Sequence, residues 1–285
     1  GIRAELLKSE STDRRTARIE HRPLTIDLTP SVHLRYRIFE QTNLRASFAQ
    51  TVRRPQFDQL IPSLEETATQ FKLGNPQLRP EKANNYEVHV EHFWPNGLLS
   101  AGTYYRELRD KQEEVIIGRS GAKDIFQFTN VGNGTLWGAE FEALRQLDFL
   151  PYEWMRYFRL RANYTWTISS KVTDPNQLAT RRFKDTPTHI ANVILEYLHP
   201  DTGIGFNVGM NLISDRIDPK SDGTVKIEDT LQTVDLSVTK TLGKHFSLFF
   251  DARNLTFTES HKTDKGEFER LSIPTRFFFG IKWFY

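Results

Sequence analysis

The densest group of residues that could carry out chemistry is a short run of glutamates and histidines. Glu87, His89 and Glu91 alternate with other residues, and His92 follows directly. In a β-strand the three alternating side chains lie on one face, where carboxylate and imidazole groups could together hold a metal ion. A polar strand face that binds no metal explains the same pattern, and it is the interpretation that we favour.

The rest of the sequence carries no signature of enzymatic chemistry. The chain contains no cysteine, which excludes thiol catalysis, disulfides and cysteine-ligated metals. It has no nucleophile elbow, phosphate-binding loop or HExxH motif. The charges are balanced, with 38 Lys and Arg against 36 Asp and Glu, and give no reason to expect a nucleic-acid partner. We therefore expect a protein that is not an enzyme, without catalytic residues, metal or cofactor.

Alternation of apolar and polar residues with a period of two runs through the chain. From residue 158 to residue 168, every even-numbered position is apolar or aromatic and every odd-numbered position is polar. A segment of this length can cross a bilayer, because a tilted transmembrane strand needs about 9–11 residues. Twelve such segments are predicted, starting near residues 1, 31, 42, 85, 98, 136, 156, 188, 203, 231, 245 and 275.

The connections between these segments alternate between short and long. Tight turns are predicted near residues 40, 95, 150, 200 and 243. Long, polar and irregular connections are predicted at about 11–30, 52–84, 109–135, 169–187, 214–230 and 255–274, with room for short helical turns in 52–84. This sorting is typical of barrels with short periplasmic turns and long external loops. We therefore predict an all-β fold, an antiparallel transmembrane β-barrel.

Residues on the polar faces predict specific pairs across the hairpins. A tight turn near 150 would oppose Glu140 to Arg161 and Glu142 to Arg159. Opposite charges that face each other across an antiparallel pair contribute about 0.2–1 kcal/mol each. Most such pairs line a wall and bind nothing.

Two other hairpins predict contrasting charge patterns. The turn near 243 would oppose Asp235 to Arg253, an opposite-charge pair. The turn near 40 would oppose Arg37 to Arg45, with Arg35 close by. The same hairpin offers these arginines no obvious acidic partner. We therefore expect this basic strip to face something that lies outside residues 1–285.

The chain ends on an aromatic strand. In a soluble protein such a strand would leave an exposed apolar edge, whereas in a closed barrel its apolar face meets lipid and its edge is paired. The ending resembles the C-terminal strand that the barrel-assembly machinery recognises in outer-membrane proteins. The resemblance implies that this signal consists of Phe277, Phe279, Ile281, Trp283 and Tyr285.

Several segments, in order along the chain, resemble TonB-dependent outer-membrane receptors. Thr42–Leu60 is similar to a strand of the form NLRASYSxTxxRP that leads into a long external loop. Leu73–Glu81 resembles GNPxLxPE, and Asn85–Glu91 resembles NYExGxE. Gly138–Glu142 resembles GxExE, and Asp251–Leu255 resembles xxxNLxN. The turn residues of these motifs also have a structural explanation, since Gly-Asn-Pro and Arg-Pro order long loops.

The resemblance implies a 22-stranded barrel with an N-terminal plug inside it. Residues 1–285 would then form the C-terminal part of that barrel, and the plug, the TonB-contacting box and the remaining strands have no counterpart in them. In this family energy coupling runs through the plug, so we do not expect the chain to transport by itself. The expected partners are outer-membrane lipid, the plug and remaining strands, TonB, the barrel-assembly machinery and a small-molecule ligand.

The leading hypothesis is a receptor that imports a ferric siderophore, a cobalamin-like cofactor or an oligosaccharide. Arginine suits carboxylate and phosphate groups, and aromatic side chains suit sugar or catecholate faces. The candidate ligand-binding residues in the long connections are Arg53, Arg54, Phe57, Phe71, Arg181, Arg182 and Phe183.

Two other classes of protein remain open on the sequence. A passive or structural outer-membrane barrel, such as a porin or an adhesin-like protein, would show the same strands without a plug and a coupling box. A soluble β-sandwich or propeller is a weaker alternative, which solubility without detergent would support.

Overall fold

The computed structural model describes residues 1–13, 18–68, 70–173, 180–219, 225–264 and 267–284. The strands are β1 (Ile2–Asp13), β2 (Arg18–Phe39), β3 (Thr42–Arg53), β4 (Leu64–Glu66), β5 (Gln70–Leu73), β6 (Glu81–Trp94), β7 (Gly97–Arg109), β8 (Gln112–Ser120), β9 (Lys123–Asn130), β10 (Asn133–Gln146), β11 (Phe158–Thr173), β12 (Thr180–Arg181), β13 (His189–His199), β14 (Ile204–Ile213), β15 (Arg216–Pro219), β16 (Val225–Glu228), β17 (Leu231–Leu242), β18 (Phe246–Arg253), β19 (Glu259–Asp264), β20 (Glu267–Ser272) and β21 (Arg276–Trp283). Helix α1 (Phe57–Leu60) follows β3, and a 3₁₀ turn (Glu153–Tyr157) precedes β11. Within the described residues, no helix has the length and apolar character needed to cross a membrane.

Twelve strands form one antiparallel sheet, which we call the wall sheet. Its order is β1-β2-β3-β6-β7-β10-β11-β13-β14-β17-β18-β21, and the short β12 pairs with the end of β11. Each wall strand therefore pairs with the preceding and following wall strands along the chain, as a series of hairpins requires. All twelve predicted strands are present, so the all-β antiparallel prediction is confirmed.

The predicted long connection at 11–30 is wrong. β1 and β2 remain paired from Ile2 opposite Pro30 to Asp13 opposite Arg18, so most of this segment is a hairpin extension of the wall. The segment is rich in polar residues and looks like a loop in sequence. A strand that extends past the apolar layer can carry polar side chains on both faces, which removes the alternation on which the prediction depended.

The remaining connections sort to opposite ends of the wall sheet. Tight turns join β2 to β3, β6 to β7, β13 to β14 and β17 to β18 at one end, which we call the turn end. The connection from β10 to β11 lies at the same end but is longer, since it runs over residues 147–157. The long connections lie at the other end, the loop end. The alternation of short and long connections is therefore confirmed from β2 onward, except between β10 and β11.

The long connections are not irregular, contrary to the prediction. Strands β4, β5, β9 and β8 form a four-stranded sheet in that order, which we call the first loop sheet. Strands β15, β16, β19 and β20 form the second loop sheet. Both sheets join long connections that are distant in sequence, through the parallel pair β5–β9 and the antiparallel pair β16–β19. The short helical turn expected in 52–84 is present as α1.

The predicted ion pairs across the turn near 150 are wrong. The prediction opposed Glu140 to Arg161 and Glu142 to Arg159, but the ladder places each glutamate opposite a residue four positions further along β11. The actual partners are Thr165 and Asn163, respectively. The connection is longer than a tight turn because it contains the 3₁₀ turn before β11.

The turn near 40 also differs from its predicted register. Arg35, not Arg37, lies opposite Arg45, and Arg37 lies opposite Asn43. Arg45 finds its acidic partner in the next hairpin, where its Nη1 atom lies 2.7 Å from Oε1 of Glu91. Arg35 and Arg37 have no ion-pair partner within the described ranges, so this part of the basic strip is still uncompensated there.

The register at the turn near 243 is as predicted. Ser237 lies opposite Asp251, and its hydroxyl donates to that carboxylate at 2.6 Å. Asp235 is therefore at the level of Arg253, but its carboxylate accepts the backbone N–H of Asn254 at 2.8 Å. The predicted opposite-charge contact is thus replaced by a bond that holds the end of β18.

The two faces of the wall sheet differ in polarity. On the apolar face, aromatic rings contact each other across strands, as in Phe48–Tyr86 at 5.1 Å and Tyr197–Phe206 at 4.9 Å between ring centroids. Valine, leucine and isoleucine fill the positions between these rows and are largely exposed in the described chain. Aromatic rows that border an aliphatic band are typical of a lipid-facing surface.

The terminal strand β21 belongs to this apolar face. Phe277, Phe279, Ile281 and Trp283 lie opposite alternate residues of β18 and are 61%, 87%, 68% and 66% exposed. Tyr285 lies outside the described residues. The strand therefore has the geometry expected of the predicted assembly signal, whose recognition stays a prediction.

Candidate functional site

The polar face of the wall sheet carries charges and amides that contact each other between strands. Glu196 lies between Arg159 and Arg161, at 3.6 and 3.5 Å. An amide ladder crosses three neighbouring strands through Asn163, Asn192 and Asn211, with the first hydrogen bond at 2.8 Å. These side chains bind one another, so this part of the polar face is better described as a wall lining than as a binding pocket.

The glutamate–histidine group lies on this polar face. His89 lies opposite Arg45 on one side and Gly102 on the other, while Glu91 pairs with Arg45. Glu87 accepts a hydrogen bond from Ser47 at 3.4 Å. Within the part of the chain that the structure describes, no group of three or more potential metal ligands comes together. Glu87, His89 and Glu91 thus lie on a polar strand face with partners from the neighbouring strands.

The first loop sheet is held by side-chain amides that bind backbone of the neighbouring connection. Asn75 donates to the carbonyl of Phe128 at 2.8 Å, and Gln127 donates to the carbonyl of Gly74 at 3.0 Å. Gln112, which is 2% exposed, donates to the carbonyl of Arg79 at 2.7 Å. These bonds cross between the segments 54–80 and 110–132 and make them one unit.

The Gly-Asn-Pro motif is therefore structural in this chain. A Cβ atom on Gly74 would lie 1.6 Å from the carbonyl oxygen of Ile61, so no other residue fits there without a backbone shift. Leu78 is 1% exposed, and Glu81 accepts the backbone N–H of Gln112 at 2.9 Å. The motif closes the first loop sheet onto the wall sheet.

A buried carboxylate organises the start of this connection. Asp27, 1% exposed, contacts Arg54 Nη2 at 2.9 Å and Lys82 Nζ at 2.9 Å, and Arg54 also binds Glu5. Asp27 lies twelve residues from the end of β2 at the turn to β3, beyond the about 9–11 residues with which a tilted strand crosses a bilayer. Burial alone would raise the pKa of Asp27, but the hydrogen bonds and charges of Lys82 and Arg54 outweigh it and lower the pKa.

The four predicted ligand-binding residues of this connection have different surroundings. Arg54 is held by the Asp27 cluster, and Phe71 lies against Lys123, whose Nζ atom is 5.2 Å from the ring centroid. The Arg53 side chain is 58% exposed, and its Nη1 atom is 3.9 Å from Oε2 of Glu81, which is a long ion pair. The Phe57 side chain is 67% exposed. Arg53 and Phe57 are thus the two with the most surface free for a ligand.

The candidates in the connection before β13 are also divided. The backbone of Arg181 belongs to β12, but its side chain is not among the parts that the structure describes. Arg182 donates to the Thr188 hydroxyl at 2.7 Å. Phe183 is 4% exposed and packs with Val131 and Val172 in a small core. The ring of Phe183 is therefore a core element of the loop end, which leaves it no free face for a ligand in this structure.

A charged cavity between two long connections was not predicted. Its volume is about 510 Å³, and it is lined by Lys184, Asp185, Arg216, Asp218, Lys226 and Glu228. Arg216 pairs with Glu228 at 2.7 Å and Lys184 with Asp218 at 3.0 Å. The alternating charges of Arg-Ile-Asp and Lys-Ile-Glu were the available signal, but nothing in the sequence placed the two triplets side by side.

The family of the chain follows from the match along its length. The model of the family described as "TonB dependent receptor-like, beta-barrel" matches residues 1–255. The chain belongs to the TonB-dependent receptor family. The transmembrane β-barrel predicted from the strand pattern and from the family resemblance is thereby confirmed as its fold.

Individual relatives agree with membership in the TonB-dependent receptor family. The vitamin B12 transporter BtuB of Vibrio vulnificus is 23% identical over 190 residues, which cover 67% of this chain and 27% of BtuB. The unliganded ferric citrate transporter FecA aligns with a TM-score of 0.74 and 14% identity, over 99% of this chain and 42% of FecA. A ferric enterobactin receptor PfeA mutant of Pseudomonas aeruginosa aligns with a TM-score of 0.64 and 18% identity, over 91% of this chain and 41% of PfeA. The chain thus spans between about a quarter and two-fifths of the length of these relatives.

Proposed function

We propose that the chain is the C-terminal part of an outer-membrane receptor barrel that takes up a scarce small ligand with energy from TonB. The supporting observation is the loop end, where long connections are built into two ordered sheets above a wall with an apolar and a polar face. Ordered loops on a rigid scaffold are where binding residues concentrate. Membership in the TonB-dependent receptor family supports energy coupling.

The polar face of the wall supports the proposal of a plug. Arg35 and Arg37 lie on it in β2, without an ion-pair partner in the described part of the chain. An N-terminal plug of the same receptor would meet this face and could supply carboxylates. The remaining strands of a 22-stranded barrel would pair with the edges at β1 and β21, because unpaired backbone is costly at membrane depth.

The ligand class is proposed to carry anionic or flat polar groups. Arg53 offers an exposed guanidinium for carboxylate, phosphate or catecholate oxygens, and Phe57 offers an exposed ring for a sugar or catechol face. Both lie at the start of the same long connection, next to α1. The relatives named above carry or bind vitamin B12, ferric citrate and enterobactin, which sets a short panel of ligands to test.

Binding to the full-length receptor tests the ligand site. The panel is ferric enterobactin, ferric citrate, vitamin B12 and a linear oligosaccharide. For whichever ligand binds, Phe57→Ala and Arg53→Gln are each expected to weaken affinity about tenfold, as loss of an anchor residue does. The control is Phe149→Ala, which removes a 60% exposed aromatic side chain at the turn end. Unchanged affinity in both loop-end variants would reject this site.

Uptake in cells with and without TonB separates the two transport hypotheses. A TonB-coupled receptor is expected to lose uptake when TonB is deleted while retaining binding. A passive barrel would take up the ligand equally in both strains. Deletion of the whole segment 57–80 is a poorer test, because it would also remove β4 and β5 from the first loop sheet.

A further inference from the structure

Three consecutive residues connect the two loop sheets. Phe183 packs in the core beside the first loop sheet, while Lys184 and Asp185 contact the second. We propose that residues 183–185 are a strap that ties the two sheets into one unit, with Phe183 and Lys184 as its positioning residues.

The first anchor is the buried ring of Phe183. It packs with Val131 and with Val172 of β11, and Leu108, Leu136 and Val115 pack against the same core. The ring is therefore held by the wall sheet and, through Val115 of β8, by the first loop sheet. The Lys111 ammonium lies 5.0 Å from the ring centroid. Gly134 leaves space for the ring, since a Cβ atom there would lie 2.5 Å from it. The aromatic ring fits at this position because residue 134, beside it, is a glycine without a side chain.

The second anchor is formed by the next two residues. Lys184 Nζ lies 3.0 Å from Oδ1 of Asp218 in β15, and the Asp185 N–H donates to the carbonyl of Ile217 at 2.9 Å. Asp185 has a φ of 54°, a left-handed conformation that aspartate tolerates better than most residues. The chain turns at this point from the first sheet to the second.

The two anchors of the strap lie on consecutive residues, so the distance between their backbone atoms is fixed. Consecutive Cα atoms are about 3.8 Å apart, so the anchors at Phe183 and Lys184 cannot separate without breaking one of them. The end of the connection is fixed as well, because Thr188 and His189 both donate their N–H groups to the Ser214 hydroxyl at 3.0 Å. A displacement of one loop sheet is therefore transmitted to the other, so a ligand held by one sheet, as proposed above, would be sensed by both.

Hydrogen exchange of the full-length receptor without ligand tests the strap independently of any binding function. Phe183→Leu keeps an apolar side chain but removes the fit to the core. It is expected to speed exchange of the β15–β16 amides about threefold or more, although the hydrophobic core described around Phe183 includes no residue of either strand. Lys184→Met keeps the aliphatic stem and removes the ion pair. It is expected to speed exchange of β15–β16 less than Phe183→Leu does, because the Asp185–Ile217 hydrogen bond remains, and to affect β8–β9 least.

The double variant and a matched control decide the outcome. Once one anchor is lost, loss of the other should add little, so the two changes are expected to be non-additive. The control is Arg119→Met, which removes an ion pair to Asp124 within the first loop sheet and should leave β15–β16 unchanged. Effects confined to each anchor's own sheet, or fully additive effects, would overturn the strap.

Discussion

The two loop sheets have the same number of strands but are held by different forces. Both carry ion pairs with one exposed partner, such as Lys123–Glu66 at 2.7 Å in the first and Lys226–Glu269 at 3.6 Å in the second. The first sheet adds several side-chain amides bound to backbone, from Asn75, Gln112 and Gln127, and a buried leucine, Leu78. The second sheet has a bond of this kind at its base, where buried Asn254 donates to the carbonyl of Ile273 at 2.6 Å. Exposed ion pairs contribute about 0–1 kcal/mol, whereas a buried amide left without its partner costs about 1–3 kcal/mol. The first sheet should therefore be the rigid part of the loop end and the second the adjustable part.

The largest effect is expected at Gly74. Gly74→Ala places a Cβ atom 1.6 Å from the carbonyl oxygen of Ile61, and relief of so close a clash should cost the first loop sheet about 3 kcal/mol, the upper end for an overpacked site. Hydrogen exchange of β5 and β9 should accelerate in the full-length receptor. The control is Gly118→Ala in β8, where the nearest atom to the new Cβ would be 3.9 Å away. If both variants exchange alike, the close approach at Gly74 does not hold the sheet.

A second large effect is expected at Asp27. Asp27→Asn removes a buried charge that two cations bind, and should destabilise the start of the connection by about 2–3 kcal/mol. Protease sensitivity of the backbone around residues 54–56 is the measurement. Asp58→Asn, at an exposed carboxylate in α1, is the control and should behave like the unchanged protein.

The same carboxylate predicts an acid-sensitive loop end. The folded pKa of Asp27 is lowered, so its contribution is present above the ordinary value of 3.8 and is lost as pH falls below it. Protease sensitivity at residues 54–56 should therefore rise below about pH 3.8, and Asp27→Asn should abolish that pH dependence. Equal pH dependence in the variant would assign the transition to another group.

Strand positions were predictable, whereas the contacts between long connections were not. The wall strands show a period of two because one face is apolar, and that signal survives without any knowledge of the partner strand. Each loop sheet joins two local hairpins through one distant pair, with Gln70 opposite Asp124 in the first and Ile227 opposite Thr263 in the second, so no turn sequence marks that pairing. The registers at the turns near 40 and 150 failed for a local reason, a bulge and a 3₁₀ turn that the sequence does not announce.

The ligand-binding candidates show the same limit. Residue type made Arg54 and Phe183 reasonable choices, since arginine and phenylalanine suit anionic and flat ligands. In the structure, Arg54 forms an ion pair with Asp27, which lies in a segment predicted as a loop. Phe183 is buried in a core that includes Val172. An exposed and a buried aromatic in a polar connection look alike in sequence, because burial there depends on a distant connection.

The smallest expected effect is the response of the two loop sheets to salt. Raising ionic strength from about 0.1 to 1 M shortens the screening length from about 10 to 3 Å and weakens exposed ion pairs. Exchange of the β15–β16 amides should rise about two- to threefold, as expected for a loss of up to about 1 kcal/mol, while β5 and β9 stay protected by their amide bonds. Lys226→Met, which removes the pair with exposed Glu269, should reproduce the salt effect and make β15–β16 less sensitive to further salt. An equal response of both sheets would show that the buried amides of the first sheet do not set it apart from the second.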